Sequence, residues 1–269
     1  MSVTDVTFAG SIPALYEKYL GPLLFEPYAE DLAARLAAIA PEKVLETAAG
    51  TGIVTRAMDK ALPPSVTIVA TDLNPAMLDL AAKRLNSPRV TWRQADAQNL
   101  PFEDATFDAV ACQFGVMFFP DKIAAHREVR RVLKPGGVFV FTVWDRLDAN
   151  PVSKAVADAI AGLLPDNPPR FVERVPFGYS DPDRIRGDMG EAGFEDIKIE
   201  AVEKVTYAPS PQDLATGLCQ GTPLRNELEA RAPGRLDEIT EKTAEALAAR
   251  FGSSAIENRM RAIVVTARR

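Results

Sequence analysis

Val44-Leu45-Glu46-Thr47-Ala48-Ala49-Gly50-Thr51-Gly52 carries an apolar run into a turn of nearly bare backbone. A helical pattern follows from Ile53. Ala48, Ala49, Gly50 and Gly52 leave room for a ligand against the main chain, and glycine adopts dihedrals that other residues avoid. The helix opened by the turn begins with free N–H groups, which attract an acceptor or an anion. The same stretch also reads as a plain strand-to-helix turn with no ligand, so its neighbours must decide.

Downstream, the β-branched run Val66–Thr71 reads as a buried parallel strand ending at Asp72. Asn74-Pro75 then starts a helix, with Asn74 as its cap and Met77, Leu78, Ala81, Ala82 and Leu85 on its apolar face. Val90-Thr91-Trp92 reads as a third strand, leading into Gln94-Ala95-Asp96-Ala97. Phe107–Phe114 is the fourth strand and Asp121–Leu133 a helix stopped by Lys134-Pro135-Gly136-Gly137. Val138–Trp144 is the fifth strand. Strands alternating with helices predict a doubly wound, parallel α/β layer. Ligands of such a layer sit at the C-terminal strand ends, where the Gly turn, Asp72, Asp96 and Gln113 all fall.

Upstream, a helical pattern from Pro13 is interrupted at Gly21-Pro22 and resumes from Glu26 to Ile39. Residues 1–12 read as loose. Beyond Trp144 the alternation stops. Residues 151–180 hold a short helix and a Pro-rich aromatic loop, and a helix follows near Asp183–Ala192. Ile197–Tyr207 reads as a strand, 212–258 as mostly helix, and Arg261–Ala267 as a closing strand.

Composition bounds the function. The chain has 269 residues, 47% apolar and 25% charged, with a net charge of −6, which suits one domain with an insertion or two small ones. No Lys/Arg block supports electrostatic binding of nucleic acid. Cys112 and Cys219 make neither a disulfide framework nor a zinc site, and a single histidine excludes a His-rich metal centre. No metal is expected. No signal peptide and no membrane-spanning run are read, so the expected location is the cytoplasm.

Asp72 follows Gly52 at about the spacing where an acidic residue meets a ribose, and its carboxylate accepts two hydroxyl hydrogens. A nicotinamide dinucleotide and S-adenosylmethionine both have one. The dinucleotide fingerprint needs a small residue where Thr55 stands, and no Tyr-x-x-x-Lys dyad follows to move a hydride. Glu46, Asp72 and Asp96 suit a cationic nucleoside with ammonium, ribose and purine donors, whereas they would repel phosphates.

These stretches, with Ala70–Leu78, Gln94–Phe102, Phe107–Val110, Gln113-Phe114-Gly115 and Arg131–Gly137, resemble the class I S-adenosylmethionine-dependent methyltransferases. The similarity is to the ubiquinone/menaquinone-biosynthesis branch, and it covers residues 40–145 best. It implies a Rossmann-like, doubly wound seven-stranded sheet with the last strand antiparallel. Residues 41–145, 193–208 and 259–269 would form the cofactor-binding core, 1–40 a helical cap, and 146–192 and 209–258 a substrate-covering lid.

The resemblance also implies roles. Glu46 would sit beside the methionine ammonium of S-adenosyl-L-methionine, with Gly50 and Gly52 giving backbone approach. Ala48 stands where the family usually has Gly. Asp72 would bind the ribose, Leu73 and Met77 border the adenine, and Asp96, Ala97 and Gln98 meet its polar edge. Gln113 and Phe114 would lie under the methionine portion, with Tyr16 over its carboxylate. Tyr19, Met117, Phe118, Trp144 and Phe177 are candidates for an apolar pocket taking a small apolar or aromatic acceptor. No catalytic base is named: His126, in mid-helix, reads as a surface or packing residue, so methyl transfer would rest on proximity and orientation. The expected partner is a small-molecule substrate, and a homodimer is compatible with the chain. An S-adenosylmethionine-binding module without catalysis and a nicotinamide-dependent oxidoreductase are the alternatives.

Overall fold

A computed structural model describes residues 3–269. Seven strands make one sheet: β1 Lys43–Glu46, β2 Thr67–Asp72, β3 Val90–Gln94, β4 Phe107–Gln113, β5 Leu133–Trp144, β6 Asp196–Ala208 and β7 Ile256–Arg268. Their order is β3-β2-β1-β4-β5-β7-β6. Strands β1 to β5 pair in parallel, while β7 is antiparallel to both β5 and β6. The chain order reverses between β1 and β4, the crevice where ligands of doubly wound sheets bind. Val44, Leu45, Ile68, Ala109 and Val110 are wholly buried, which explains the unbroken apolar runs of the central strands.

The helices Glu26–Ile39 and Ile53–Ala61 pack together, and Tyr28 sets its ring edge-on to Phe114 and Trp144. On the other side of the sheet, His126 of the Lys122–Val132 helix rests on Phe139 and Phe141. The Pro182–Glu191 helix packs beside that helix and against β6, so it covers the sheet and is not part of a lid over 146–192. The helices Pro151–Leu163, Pro211–Gln220 and Leu224–Arg231 gather with Leu236–Phe251 over the C-terminal strand ends.

Four expectations are corrected. Gly21-Pro22 does not interrupt the first helix: Ile12–Leu15 passes into a π-helix, Tyr16–Phe25, and directly into Glu26–Ile39. Proline clashes inside an α-turn, and the wider π turn accommodates it. Strand β5 starts at Leu133, which pairs with Phe107, and Lys134-Pro135-Gly136-Gly137, with Gly136 at φ 76, is the irregularity passed before Val138 pairs with Ala109. Strand β7 starts at Ile256, because it pairs with β6 back to Ala208, beyond the end of β5. The supposedly loose N-terminus holds a 3-10 turn, Val3–Val6, with Asp5 buried and paired to Arg174 at 2.6 Å; Met1 and Ser2 lie outside the described residues. Among the described residues, no helix is long and apolar enough to cross a membrane.

Candidate functional site

The turn after β1 is held from both sides: Thr47 N donates to Ala111 O and Ala49 N to Thr71 O, each at 2.9 Å. Its dihedrals are left-handed at Ala48 (φ 54), Gly50 (φ 56) and Gly52 (φ 78). The two glycines serve different ends. A Cβ on Gly52 would stand 2.7 Å from the Trp92 ring and 3.1 Å from Ala81, so Gly52 lets β3 and the Pro75–Arg84 helix close in. A Cβ on Gly50 would meet nothing nearer than Met77 Cε at 3.9 Å, and Gly50 lines the cavity.

Asp72 is 7% exposed, and one oxygen, Oδ2, accepts from Gly50 N at 2.8 Å. Its Oδ1 accepts from Asn74 N, also at 2.8 Å, while the Asn74 side chain, expected as the cap of the next helix, makes no cap bond. Asn74 Nδ2 adds a long bond to Oδ1 at 3.5 Å, and since a carboxylate offers about four lone-pair directions, one or two are left for a ligand. Burial raises its proton affinity, and the Asn74 and Gly50 N–H groups oppose that. Leu73 beside it is 49% exposed. Asp96 Oδ1 accepts from Gln98 N at 2.8 Å, and Gln98 Oε1 accepts from Asp121 N at 2.8 Å, so Gln98 ties the loop after β3 to the helix after β4.

These groups face one cavity of about 350 Å³. One half carries Ala48, Gly50, Asp72, Leu73, Met77, Asp96, Ala97 and Gln98. The other is aromatic, with Tyr16, Phe114, Met117, Phe118, Trp144 and Phe177. Tyr16 stacks on Phe25 at 4.7 Å, Phe114 on Trp144 at 4.0 Å, and Trp144 faces Phe177 at 6.0 Å. Phe114 holds φ 51, a strained value for a bulky residue at a site. Gln113 Nε2 donates to Phe25 O at 3.0 Å, while its Oε1 is buried with no partner.

Three expected site residues stand outside the cavity wall. Gly52 is used for packing, as above. Glu46 is 1% exposed and accepts the Thr55 hydroxyl at 2.6 Å; burial pushes its carboxyl up to about 8. Thr55, the misfit to the dinucleotide fingerprint, is thus the partner of that buried acid. Tyr19 turns away, and its hydroxyl accepts from Lys18 Nζ at 3.0 Å. His126 is wholly buried with neither ring nitrogen hydrogen-bonded, and burial, then Lys122, pushes it down to about 4. The wall also includes Phe171, from the aromatic loop the sequence pointed to, and Phe8, Leu218 and Leu224, which the sequence had not marked. Phe8 lay in a stretch read as loose, and Leu218 and Leu224 in helices that look polar. Among the described residues, no group of three His, Cys, Asp or Glu could hold a metal ion.

A family model described as a methyltransferase domain matches residues 45–141. A ubiquinone/menaquinone biosynthesis C-methyltransferase of Escherichia coli is 31% identical over 169 residues, 58% of this chain and 67% of that protein. The chain belongs to the class I S-adenosylmethionine-dependent methyltransferases. The enzyme of that name from Caulobacter vibrioides is 38% identical over 132 residues, 46% of this methyltransferase. The match spans about half, 52%, of the Caulobacter protein's length.

Solved structures share the fold. Phosphoethanolamine N-methyltransferase 2 of Haemonchus contortus is 16% identical with a TM-score of 0.59, covering 100% of this methyltransferase and 60% of that chain. The cyclase SpnF is 18% identical with a TM-score of 0.60, covering 96% and 93%. One fold therefore carries different chemistries, and the reaction must be argued from the site.

Proposed function

We propose that this methyltransferase holds S-adenosylmethionine in the polar half of the cavity and methylates a small apolar or aromatic molecule in the aromatic half. The observation that carries the reading is the meeting, on one cavity, of a bare Gly50 turn, an Asp72 carboxylate with acceptor capacity left over, and an aromatic chamber. The residues fit the cofactor. Asp72 would take the ribose hydroxyls, exposed Leu73 and Met77 would cover the adenine, and Asp96 would accept from its amino group. Tyr16 and Phe114 would border the methionine end. Glu46, with its carboxyl pushed up to about 8, would lie beneath the turn as a buried acid and not as a contact.

When bound, the cofactor supplies an electrophilic methyl group on a good leaving group. The chain's own contribution is alignment and exclusion of water. The carboxylates on the cavity wall, Asp72 and Asp96, belong to the polar half, and His126 lies across the sheet from Trp144, so among the described residues no carboxylate or imidazole faces the aromatic half. Orientation of well-aligned reactants is worth up to about 7–11 kcal/mol, enough to carry a displacement with such a leaving group. The relatives' names place them in quinone biosynthesis, which supports an aromatic ring as acceptor.

Calorimetry with S-adenosylhomocysteine and with NAD, followed by turnover on quinols, phenols and amines, tests the reading. Heat with the first ligand alone and methyl transfer to a ring acceptor are expected. No heat with S-adenosylhomocysteine would sink the proposal. Binding without turnover on any acceptor would leave a binding module.

A further inference from the structure

Glu17 lies on the π-helix next to Tyr16, yet it is only 6% exposed and is not part of the cavity wall. Its carboxylate accepts from the Thr51 hydroxyl, from Arg56 Nη2 at 2.6 Å and pairs with Arg84 Nη1 at 3.2 Å. Thr51 is the middle residue of the Gly50-Thr51-Gly52 turn. Arg56 also donates Nη1 to Thr51 O at 2.9 Å, so the hydroxyl and the carbonyl of Thr51 are both held by the Glu17–Arg56 pair.

The rest of the N-terminal segment is bound to the C-terminal helices. A Cβ on Gly217 would stand 2.6 Å from Leu20 and 2.9 Å from Tyr19, and one on Gly221 would stand 3.0 Å from Tyr16 N. The π-helix therefore lies with Tyr19 and Leu20 against the bare main chain of the Pro211–Gln220 helix at Gly217. Ser11 Oγ accepts from Arg225 Nη1 at 2.7 Å, and Asn226 Nδ2 donates to Thr4 O at 3.0 Å. The N-terminal segment and these helices form one cover, and both contribute cavity wall, Tyr16 from the first and Leu218 and Leu224 from the second. Its bonds to the sheet through Gln113–Phe25 and Thr206–Leu23 are uncharged.

We propose that Glu17 is a positioning residue that clamps this cover onto the Gly turn, keeps Tyr16 facing Asp72 across the cavity, and sets how long a bound nucleoside stays. The inference rests on the cofactor reading above. A ligand held between cover and sheet leaves more readily when the two part, and parting them separates a buried carboxylate from two guanidinium groups. Truncating one partner of a buried charge pair acts mainly on the rate of release.

The test is stopped-flow release of S-adenosylhomocysteine from the wild type, Glu17→Gln and Glu17→Asp. Glu17→Gln keeps the shape of the side chain and removes its charge. At least about tenfold faster release is expected, with Kd weakened in step and association little changed. KM for S-adenosylmethionine should rise while kcat at saturation holds, and Glu17→Asp should recover part of the loss. Release within twofold of the wild type would overturn the proposal. Amide exchange on the ligand-free protein gives a second readout that needs no cofactor. Glu17→Gln should speed exchange in residues 12–25 and leave β1 and β4 as slow as before. Unchanged exchange in 12–25, or equal acceleration in the strands, would also overturn it. Failure of the wild type to bind S-adenosylhomocysteine would instead sink the cofactor reading and leave the exchange test standing.

Discussion

The methyl group of Ala48 lies 2.5 Å from where a Cβ on Gly115 would stand. Ala48 takes up the first bend after β1 at φ 54, and Gly115 follows the strained Phe114 at the end of β4. Residue 115 is thus empty where residue 48 is full, and the turn keeps its shape although its first position is not glycine. Gly115→Ala would collide with Ala48 and also with Cys112 Sγ at 2.7 Å. Overpacking of this kind costs about 1–3 kcal/mol. Urea denaturation should show that loss, and Ala48→Gly in the same chain should recover only part of it, because the Cys112 contact remains. Ala48→Gly alone should be close to neutral, as relief of the left-handed strain offsets added chain entropy.

Asp72 has a structural duty and a proposed binding one. Asp72→Ala frees the N–H groups of Gly50 and Asn74, so it should lower the melting temperature as well as the affinity for S-adenosylhomocysteine. Hydrogen bonds to a charged group contribute about 1.5–3 kcal/mol each, so two ribose bonds predict at least a hundredfold weaker Kd by calorimetry. A variant that melts earlier yet binds as tightly as the wild type would confine Asp72 to the turn.

His126 sits among Phe139 and Phe141 with its pKa pushed down to about 4 from an ordinary 6.5. In the unfolded chain it takes up a proton first, so its neutral burial stabilises the fold fully above about 6.5, and that stability is lost as pH falls towards 4. The slope is at most about 1.4 kcal/mol per pH unit. His126→Met should flatten this part of the stability profile. His126→Gln should leave turnover within a small factor, and a collapse of turnover with cofactor binding intact would make His126 the base after all.

Glu46 runs the other way. Its carboxyl is raised from 4.5 to about 8 by burial first, with Asp72 adding and the Thr55 hydroxyl and Arg56 opposing. A raised carboxyl stabilises the fold fully below its unfolded value, and that stability is lost as pH climbs through 8. Glu46→Gln should therefore be more stable than the wild type in thermal melts at pH 8 and above, with the difference shrinking towards pH 5. If the cationic cofactor ionises Glu46, binding should release a proton, measurable as a calorimetric heat that depends on the buffer, and Glu46→Gln should abolish it.

The aromatic half makes a separate prediction. Phe177→Ala opens one side of the Trp144 ring, which Phe177 faces at 6.0 Å. KM for a ring acceptor should rise about tenfold or more, the scale of one lost aromatic contact, while Kd for S-adenosylhomocysteine stays unchanged. A loss of cofactor affinity instead would place Phe177 with the polar half.

The alternation of strands and helices, the bare turn at Gly50, and the acids closing β2 and β3 were all legible in the residues themselves. Each is a local signal, since strands buried on both faces must be apolar runs, and a doubly wound sheet puts their ends on one edge. Asp72, Asp96 and Gln113 reach the cavity for that reason alone. What lay beyond the residues was which side of a turn or helix faces inward. Glu46, Gly52 and Tyr19 have the right chemistry and spacing, but Thr55, Trp92 and Lys18 take their side chains or their space. Leu218, Leu224 and Glu17 owe their places to helices about two hundred residues apart lying against each other across Gly217 and Gly221. An amphipathic pattern says that a helix has an inner face and is silent about what that face meets, so only the tertiary packing could close this cavity.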